Sequence, residues 1–524
     1  MVKQLLTNIA VPRRALYVGA VLVCAVAGVN LYRAQAQSLV HDEALTYNWY
    51  IAGTLDWFLY PNANNHALHT FLAKGSVKLV GHSPLGLRMP SLVGGMLAMA
   101  AIWSIGALVC RGTWSFLLLL ALAVLNPHFL DYACAARGYG LSTAFLLCAI
   151  VCAVLMLRPE MKTVGRQSDW LLAISVLLGL SLASNLSILF VDIGVAAIIA
   201  LTVLASATNR LRSAGSLLLW FAVPGPFIAF AFWWPMLVLY GKGHFYVGWG
   251  SWFDCVAEYV TATLFHRQSG IDSLAAQSLT PLQLLGEQSA AATAVYIIAR
   301  FVIPIAFIFL SFIGLWLLVR VAKARSNAES SPRAALLMCL GALVLSGIAF
   351  VAMHKLRGVL YPPERAIAFV GPLAAIVGVL FVQEFVPRRT TFIAPFFATG
   401  VLILSLFIWN FNTDHFRTWR FDTGIQRFVS KLATAKAPGQ AMLVGGSWLH
   451  EPTLLVYKHL MVKRREHPWL ISAERHADIN TCDAVITHPA DKLSVPAENW
   501  HLLDVDPRSG AQLYVRRHPR VSQR

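Results

Sequence analysis

The chain has 524 residues, 57% of them hydrophobic and only 13% charged, whereas a soluble globular protein carries roughly a quarter charged residues, so that class is excluded. The formal net charge of +17 does not describe a nucleic-acid binder, because the Lys and Arg punctuate apolar runs instead of gathering on one polar face. The composition is that of an α-helical polytopic membrane protein.

The first element is an apolar run over 15–31 behind Arg13-Arg14. It is long enough to span a bilayer and lacks a small-residue cleavage site, which predicts a retained first helix. A polar stretch over 37–69 follows, with His41, Asp42 and Glu43 at its centre. Carboxylates this close to a membrane boundary are costly to desolvate, which marks a candidate functional site; a solvated acidic loop is the plainer alternative. In 67–80, Leu68, Phe71, Leu72 and Val77 recur at helical spacing with Lys74 and Lys78 on another face. That pattern predicts a helix lying in the interface.

Apolar windows of about 20 residues recur at 15–36, 87–109, 113–128, 139–157, 170–186, 187–206, 216–240, 296–320, 334–353, 366–386 and 391–410, roughly eleven spans. Only Ser184-Asn185 interrupts the fifth from the sixth. Arg13, Arg14, Arg111, Arg158, Arg210, Arg333 and Arg388 then fall on one side, which the positive-inside rule makes cytoplasmic, together with the N-terminus. The opposite loops are extracytoplasmic: the Asp42-Glu43 loop, the connection 131–137, the long loop 241–295, the hinge 354–365 and everything after 410. Aromatic residues Phe245, Tyr246, Trp249, Trp252 and Phe253 form either an interface belt or a stacking surface for a sugar or lipid carrier. None of the eight cysteines forms a CxxC pair, which argues against a zinc site, while Cys255 and Cys482 could pair on the outer side.

After 410 the composition becomes that of a soluble domain. The stripe Ile425, Phe428, Val429, Leu432 predicts an amphipathic helix over 421–432. Strand-like runs stand at 441–444, 484–487, 501–505 and 512–515, with a helix near 452–460. The expected division is a membrane domain over 1–410, with a first catalytic loop at 37–86, and a small α/β domain over 411–524. Gly445-Gly446-Ser447, at a strand-to-helix turn, is a candidate ligand-binding loop.

A group transfer on the outer face, where no nucleotide pool exists, needs a lipid-linked donor such as a sugar on polyprenyl phosphate. It needs a carboxylate to take the acceptor's proton and cations to hold the leaving phosphate. Asp42 and Glu43 offer the carboxylate. Arg88, Arg137, Arg357 and Arg365, at the outer ends of four spans, offer the guanidiniums, whose planar forks suit phosphate. Snorkelling anchors are the alternative for each arginine.

These residues carry a resemblance. His41-Asp42-Glu43-Ala44 with Thr46 resembles the acidic motif of the GT-C polyprenyl-phosphate-sugar glycosyltransferases, which include the protein O-mannosyltransferases of glycosyltransferase family 39 and the aminoarabinose transferases acting on lipid A. Asn64-Asn65-His66 with the run 81–91 around Arg88, Ala135-Ala136-Arg137-Gly138-Tyr139-Gly140, and Tyr361-Pro362-Pro363-Glu364-Arg365 are similar to three further elements of that family, in order. The resemblance implies Asp42 as general base, with Glu43 assisting or orienting the acceptor. It implies His41, Asn65, His66, Arg88, Asp131, Arg137, Tyr139, Arg357, Tyr361 and Arg365 as substrate contacts, Asp131 being equally readable as a helix-end residue. It further implies a polyprenyl-phosphate-sugar donor, a lipid, glycan or protein acceptor, inversion at the anomeric carbon and a bacterial inner-membrane location. No resident cofactor is called for. A divalent cation stays open, with His66 and His69, three apart, facing it beside Asp42. An oligosaccharide ligase or polymerase, and a transporter using Asp42 as an ion site, are the alternatives.

Overall fold

The computed structural model describes residues 9–54, 62, 64–158, 166–207, 209–237, 248–264, parts of 301–316, 330–387, 390–463, 469–472, 479–489 and 495–517. Most of the long loop 241–295, more than half of the window 296–320, and Phe245 and Tyr246 of the aromatic cluster lie outside the described residues.

Helix α1 (Arg13–Ala36) starts directly after Pro12 and ends where Gln37 turns extended. Then come α2 (His41–Thr46), α3 (Ala67–Val80), α4 (Pro84–Val109), α5 (Thr113–Val124), α6 (Pro127–Tyr132), α7 (Tyr139–Met156) and α8 (Gln167–Ser184). After a 3-10 turn follow α9 (Leu189–Ser206), α10 (the helical run Arg210–Pro235), α11 (Trp252–Leu264), α12 (Ser330–Arg357), α13 (Val370–Phe385) and α14 (Thr390–Trp409). Seven of the described helices are long and apolar enough to cross a membrane, and three shorter apolar ones accompany them. The protein is a multi-pass membrane protein.

The window 113–128 does not form one span. Asn126 accepts hydrogen bonds from the backbone N–H groups of His128 (2.9 Å) and Phe129 (3.3 Å), and Pro127 occupies the first helical position. A side-chain cap with proline behind it starts a new helix, so the apolar run breaks into α5 and α6. At the centre α4 crosses α7 backbone to backbone. A Cβ on Gly94 would sit 2.8 Å from the Leu141 nitrogen, and one on Gly140 would sit 3.1 Å from the Ser91 carbonyl oxygen. Small residues at such crossings are how helices approach closely in lipid.

In α3 the lysines do not share a solvent face. Lys74 is buried and donates to the carbonyls of Gly53 and Thr54, while Phe71, Leu72 and Leu79 are exposed. The long lysine stem lets the ammonium reach carbonyls at the end of the first loop, which a purely apolar stripe does not anticipate.

At one end of the bundle Glu384 pairs with Arg111 (2.6 Å) and Arg333 (3.0 Å). Through Glu384 these two cations, from the start of α5 and the start of α12, share one place in the bundle.

Beyond α14, a 3-10 turn (Arg420–Asp422) leads to α15 (Ile425–Ala435), whose buried residues are Ile425, Phe428, Val429 and Leu432. Strand β1 (Met442–Gly446), α16 (Glu451–Lys463), β2 (Leu470–Ser472), β3 (Ala484–Thr487), β4 (Trp500–Val505) and β5 (Gln512–Arg516) complete the chain. The sheet order is β2-β1-β3-β5-β4, parallel through β1 and antiparallel at β5. Strand β2 has no counterpart in the sequence reading, since three residues are too few to show alternation. One apolar cluster joins Leu39, Ala44, Tyr47, Ile51 and Leu87 to Phe428, Leu432, Leu454 and Tyr457, so the first loop is packed on the C-terminal layer. All eight cysteines are free. The Cys255–Cys482 pairing that the sequence left open does not form: Cys255 is buried against the Pro362 carbonyl, and Cys482 lies in a cluster with Trp500.

Candidate functional site

Helix α2 presents two neighbouring carboxylates to opposite environments. Glu43 is fully buried. It takes hydrogen bonds from Arg88 Nε (2.8 Å) and Nη2 (2.6 Å), from the Ala136 N–H (2.6 Å) and from the Val40 N–H (3.0 Å). Arg88 in turn donates to the carbonyls of Ala34, Gln37 and Ser38. Its five N–H groups meet five acceptors, which leaves none for a phosphate. The structure places Glu43 and Arg88, both expected at the site, in a pair that clamps the first loop onto α4.

Asp42, one residue earlier, is only partly buried and stands 4.0 Å from Arg137 Nη2. Burial pushes its carboxyl up, but Arg137 and Arg365, with His41 and the Trp419 indole N–H, outweigh that and hold it below the ordinary carboxylate value. Arg137 is held by Asn64, through Oδ1 (2.6 Å) and the carbonyl (3.1 Å), and by Thr46 Oγ1 (3.2 Å). Arg365 lies on the 3-10 turn Glu364–Ile367. Asp42 acts on it, yet its guanidinium makes no hydrogen bond among the described residues. A cation facing a carboxylate with its donors uncommitted is suited to a bound anion.

The turn carrying Arg365 is built by distant segments. Tyr361 and Trp249 exchange backbone hydrogen bonds at 2.8 Å, and the Tyr361 ring stacks on His354 at 4.5 Å. Buried Glu258 on α11 accepts from the Glu364 N–H (3.2 Å) and from the Trp249 indole. Ser187 donates to the Ala366 carbonyl (2.7 Å). The Ser184-Asn185 interruption therefore lies beside this turn: Asn185 caps the 3-10 turn that carries Ser187, and Ser184 offers its carbonyl to His66 Nδ1 at 3.1 Å. His66 also meets Tyr139 edge-on at 4.8 Å.

The other expected contacts lie elsewhere. Asp131 is buried and bound by Arg33, the Arg417 N–H (3.0 Å) and Arg417 Nε (4.0 Å), which ties α1 and α6 to the segment after α14. In the structure Asp131, expected as either a substrate contact or a helix-end residue, is a tie-point between these segments. His41 turns toward the C-terminal layer, its Nδ1 donating to the Leu449 carbonyl at 2.8 Å and its N–H to Asp422 at 2.6 Å. Asn65 accepts from Thr70 (2.8 Å) in the first turn of α3. Arg357 is exposed at the end of α12, apart from the cations that act most on Asp42, and Tyr361 supports the turn through its backbone. Among the described residues no group of three or more His, Cys, Asp or Glu could hold a metal ion, and His66, His69 and Asp42 do not form the cation site that the sequence left open. The sequence reading missed Trp419, Glu258 and the supporting role of Ser184. The aromatic-rich run 416–421 was the signal for the first, while nothing local marks the other two.

No family model matches the chain, and no curated protein matches it. Among solved structures it is similar to ArnT from Cupriavidus metallidurans. With undecaprenyl phosphate bound, that structure shows 13% identity over 94% of this chain and 97% of the other, at a TM-score of 0.39; in the apo state the same shares match at 0.43. It is also similar to the archaeal oligosaccharyltransferase AglB from Archaeoglobus fulgidus in complex with an inhibitory peptide and a dolichol-phosphate, with 12% identity over 90% of this chain and 69% of the other, TM-score 0.41. These likenesses are GT-C proteins. At such scores they carry no part of the functional argument, which rests on the site.

Proposed function

We propose that this chain is an integral-membrane glycosyltransferase of the GT-C type that moves a sugar from a polyprenyl-phosphate carrier to an extracytoplasmic acceptor, with inversion. The observation that carries this reading is the division of labour on α2: Glu43 is consumed by Arg88, whereas Asp42 faces Arg137 and the uncommitted guanidinium of Arg365. In this reading residues 1–410 form the catalytic membrane part with the N-terminus cytoplasmic, and 411–524 lie on the outer side of a bacterial inner membrane.

The acceptor oxygen attacks the anomeric carbon as its proton passes to Asp42. The bond from that carbon to the phosphate oxygen breaks, and the phosphate keeps the electron pair. Arg365, with the nearby charge of Arg137, offsets the charge that develops on it, an effect of about 3 kcal/mol per well-placed donor in a water-poor site. A bound phosphate also takes over part of the cationic field that depresses Asp42, so the carboxylate becomes a stronger base when donor is present.

The test is transfer from a radiolabelled polyprenyl-phosphate sugar in membranes carrying the protein or its Asp42→Asn variant. Transfer by the parent and its loss in the variant support the reading. Unchanged transfer removes Asp42 from catalysis, and export of a solute without any transfer favours a transporter.

A further inference from the structure

Beside Asp42 and its two guanidiniums lies a knot of polar atoms without protein partners. Among the described residues, His66 Nε2, both ring nitrogens of His69, Asn64 Nδ2 and Arg137 Nε are buried and make no hydrogen bond. His69 is 0% exposed and His66 5%. Folded proteins keep few such orphans, and several in one place call for a ligand.

Their donor and acceptor roles can be assigned. The Ser184 carbonyl only accepts, so His66 Nδ1 carries the proton and Nε2 presents a lone pair. Burial and Arg137 push the His69 pKa down to about 3, so that ring is neutral and offers one N–H and one lone pair. Asn64 Nδ2 and Arg137 Nε donate. A phosphate, which only accepts, leaves the His66 lone pair unmet. A hydroxyl group both donates and accepts, and a sugar ring brings several at close spacing. The charges that act on the two histidines are cations, Arg137 on both and Arg365 on His66. Such a field disfavours a protonated amino sugar.

We propose that His66, His69, Asn64 and the Nε edge of Arg137 form the subsite for the donor's sugar ring, and that it takes a neutral, polyhydroxylated sugar. This assignment rests on the carrier reading above. Gly138 holds the subsite closed: a Cβ there would lie 1.8 Å from the Ser184 carbonyl oxygen and 2.9 Å from His66 Nδ1.

The test measures binding of three lipids to the full chain in nanodiscs: polyprenyl phosphate, the same lipid bearing a neutral hexose, and the same lipid bearing a 4-amino pentose. His66→Phe and His69→Phe remove the polar atoms, and His69→Gln restores part of them. The parent is expected to prefer the hexose lipid over the bare lipid by about tenfold, roughly one well-made hydrogen bond. Both Phe variants should lose that preference while holding the bare lipid within about twofold, and the Gln variant should regain part of it. A parent that binds bare and hexose lipid equally, or Phe variants that keep the preference, overturns the subsite and leaves the carrier reading standing. Phe variants that lose bare-lipid binding equally assign the rings to the fold or the phosphate and overturn it too. Preference for the amino pentose overturns the neutral-sugar assignment. A parent that binds none of the three overturns both readings.

Discussion

Glu43 and Arg88 form a two-pronged ion pair at 2.8 and 2.6 Å with neither side chain exposed to solvent. The pair fixes where Asp42, the next residue back, points. Removing one member of a buried pair leaves the other charge uncompensated, which costs about 3–5 kcal/mol. Glu43→Ala and Arg88→Ala are therefore expected to yield little folded protein. Arg88→Lys should also be poor, because an ammonium cannot reach five acceptors in a plane. Thermal melting in detergent checks all three.

Asp42→Asn should behave in the opposite way. Its carboxylate is only partly buried and sits at the long ion-pair distance of 4.0 Å from Arg137, so the melting temperature should stay near that of the parent. Transfer should fall about 10²–10⁴-fold, the range for a general base. Arg365→Ala should lower transfer comparably, with a smaller effect for Arg365→Lys, read from initial rates against donor concentration.

The pH dependence follows from the sign of the Asp42 shift. A carboxyl held below its ordinary value stays ionised down to that lower pH, so its contribution is present above the unfolded value and lost only as pH falls through the folded one. Transfer should show no acidic limb above about pH 5. In Arg137→Gln, burial acts with less opposition and the acidic limb should move upward. A pH–rate profile of the two proteins decides it.

Stability should show a separate acid sensitivity. Burial lowers the pKa of His69 to about 3, and that of His128 to about 4, where Arg417 adds to it. A base whose folded pKa is lowered binds its proton more readily when unfolded, so stability declines as pH drops below about 6.5, by roughly 1.4 kcal/mol per unit for each such group. Melting temperature should fall between pH 6.5 and 5, and His69→Gln should flatten part of that slope.

Asp131 gathers Arg33 and Arg417 from opposite ends of the sequence. Asp131→Asn leaves two buried guanidiniums without their counter-charge and should destabilise by about 3–5 kcal/mol. Limited proteolysis should then open the segment after α14 before the bundle.

What was legible in the sequence is what depends on local pattern. Several long apolar windows follow from unbroken hydropathy, and the stripe Ile425, Phe428, Val429, Leu432 follows from a periodicity that a helix expresses wherever it is placed. The chain also marked the loops that hold Asp42, Arg137 and Arg365. It could not rank the residues within them. Asp42 and Glu43 are chemically near-equivalent neighbours, and Arg88 and Arg365 are both arginines at loop ends. Which carboxylate is quenched depends on a guanidinium 45 residues away and on the carbonyls of Ala34, Gln37 and Ser38. Hydrogen-bond partners distant in sequence are supplied by packing, so only the tertiary structure decided which acid and which cations remain available to react.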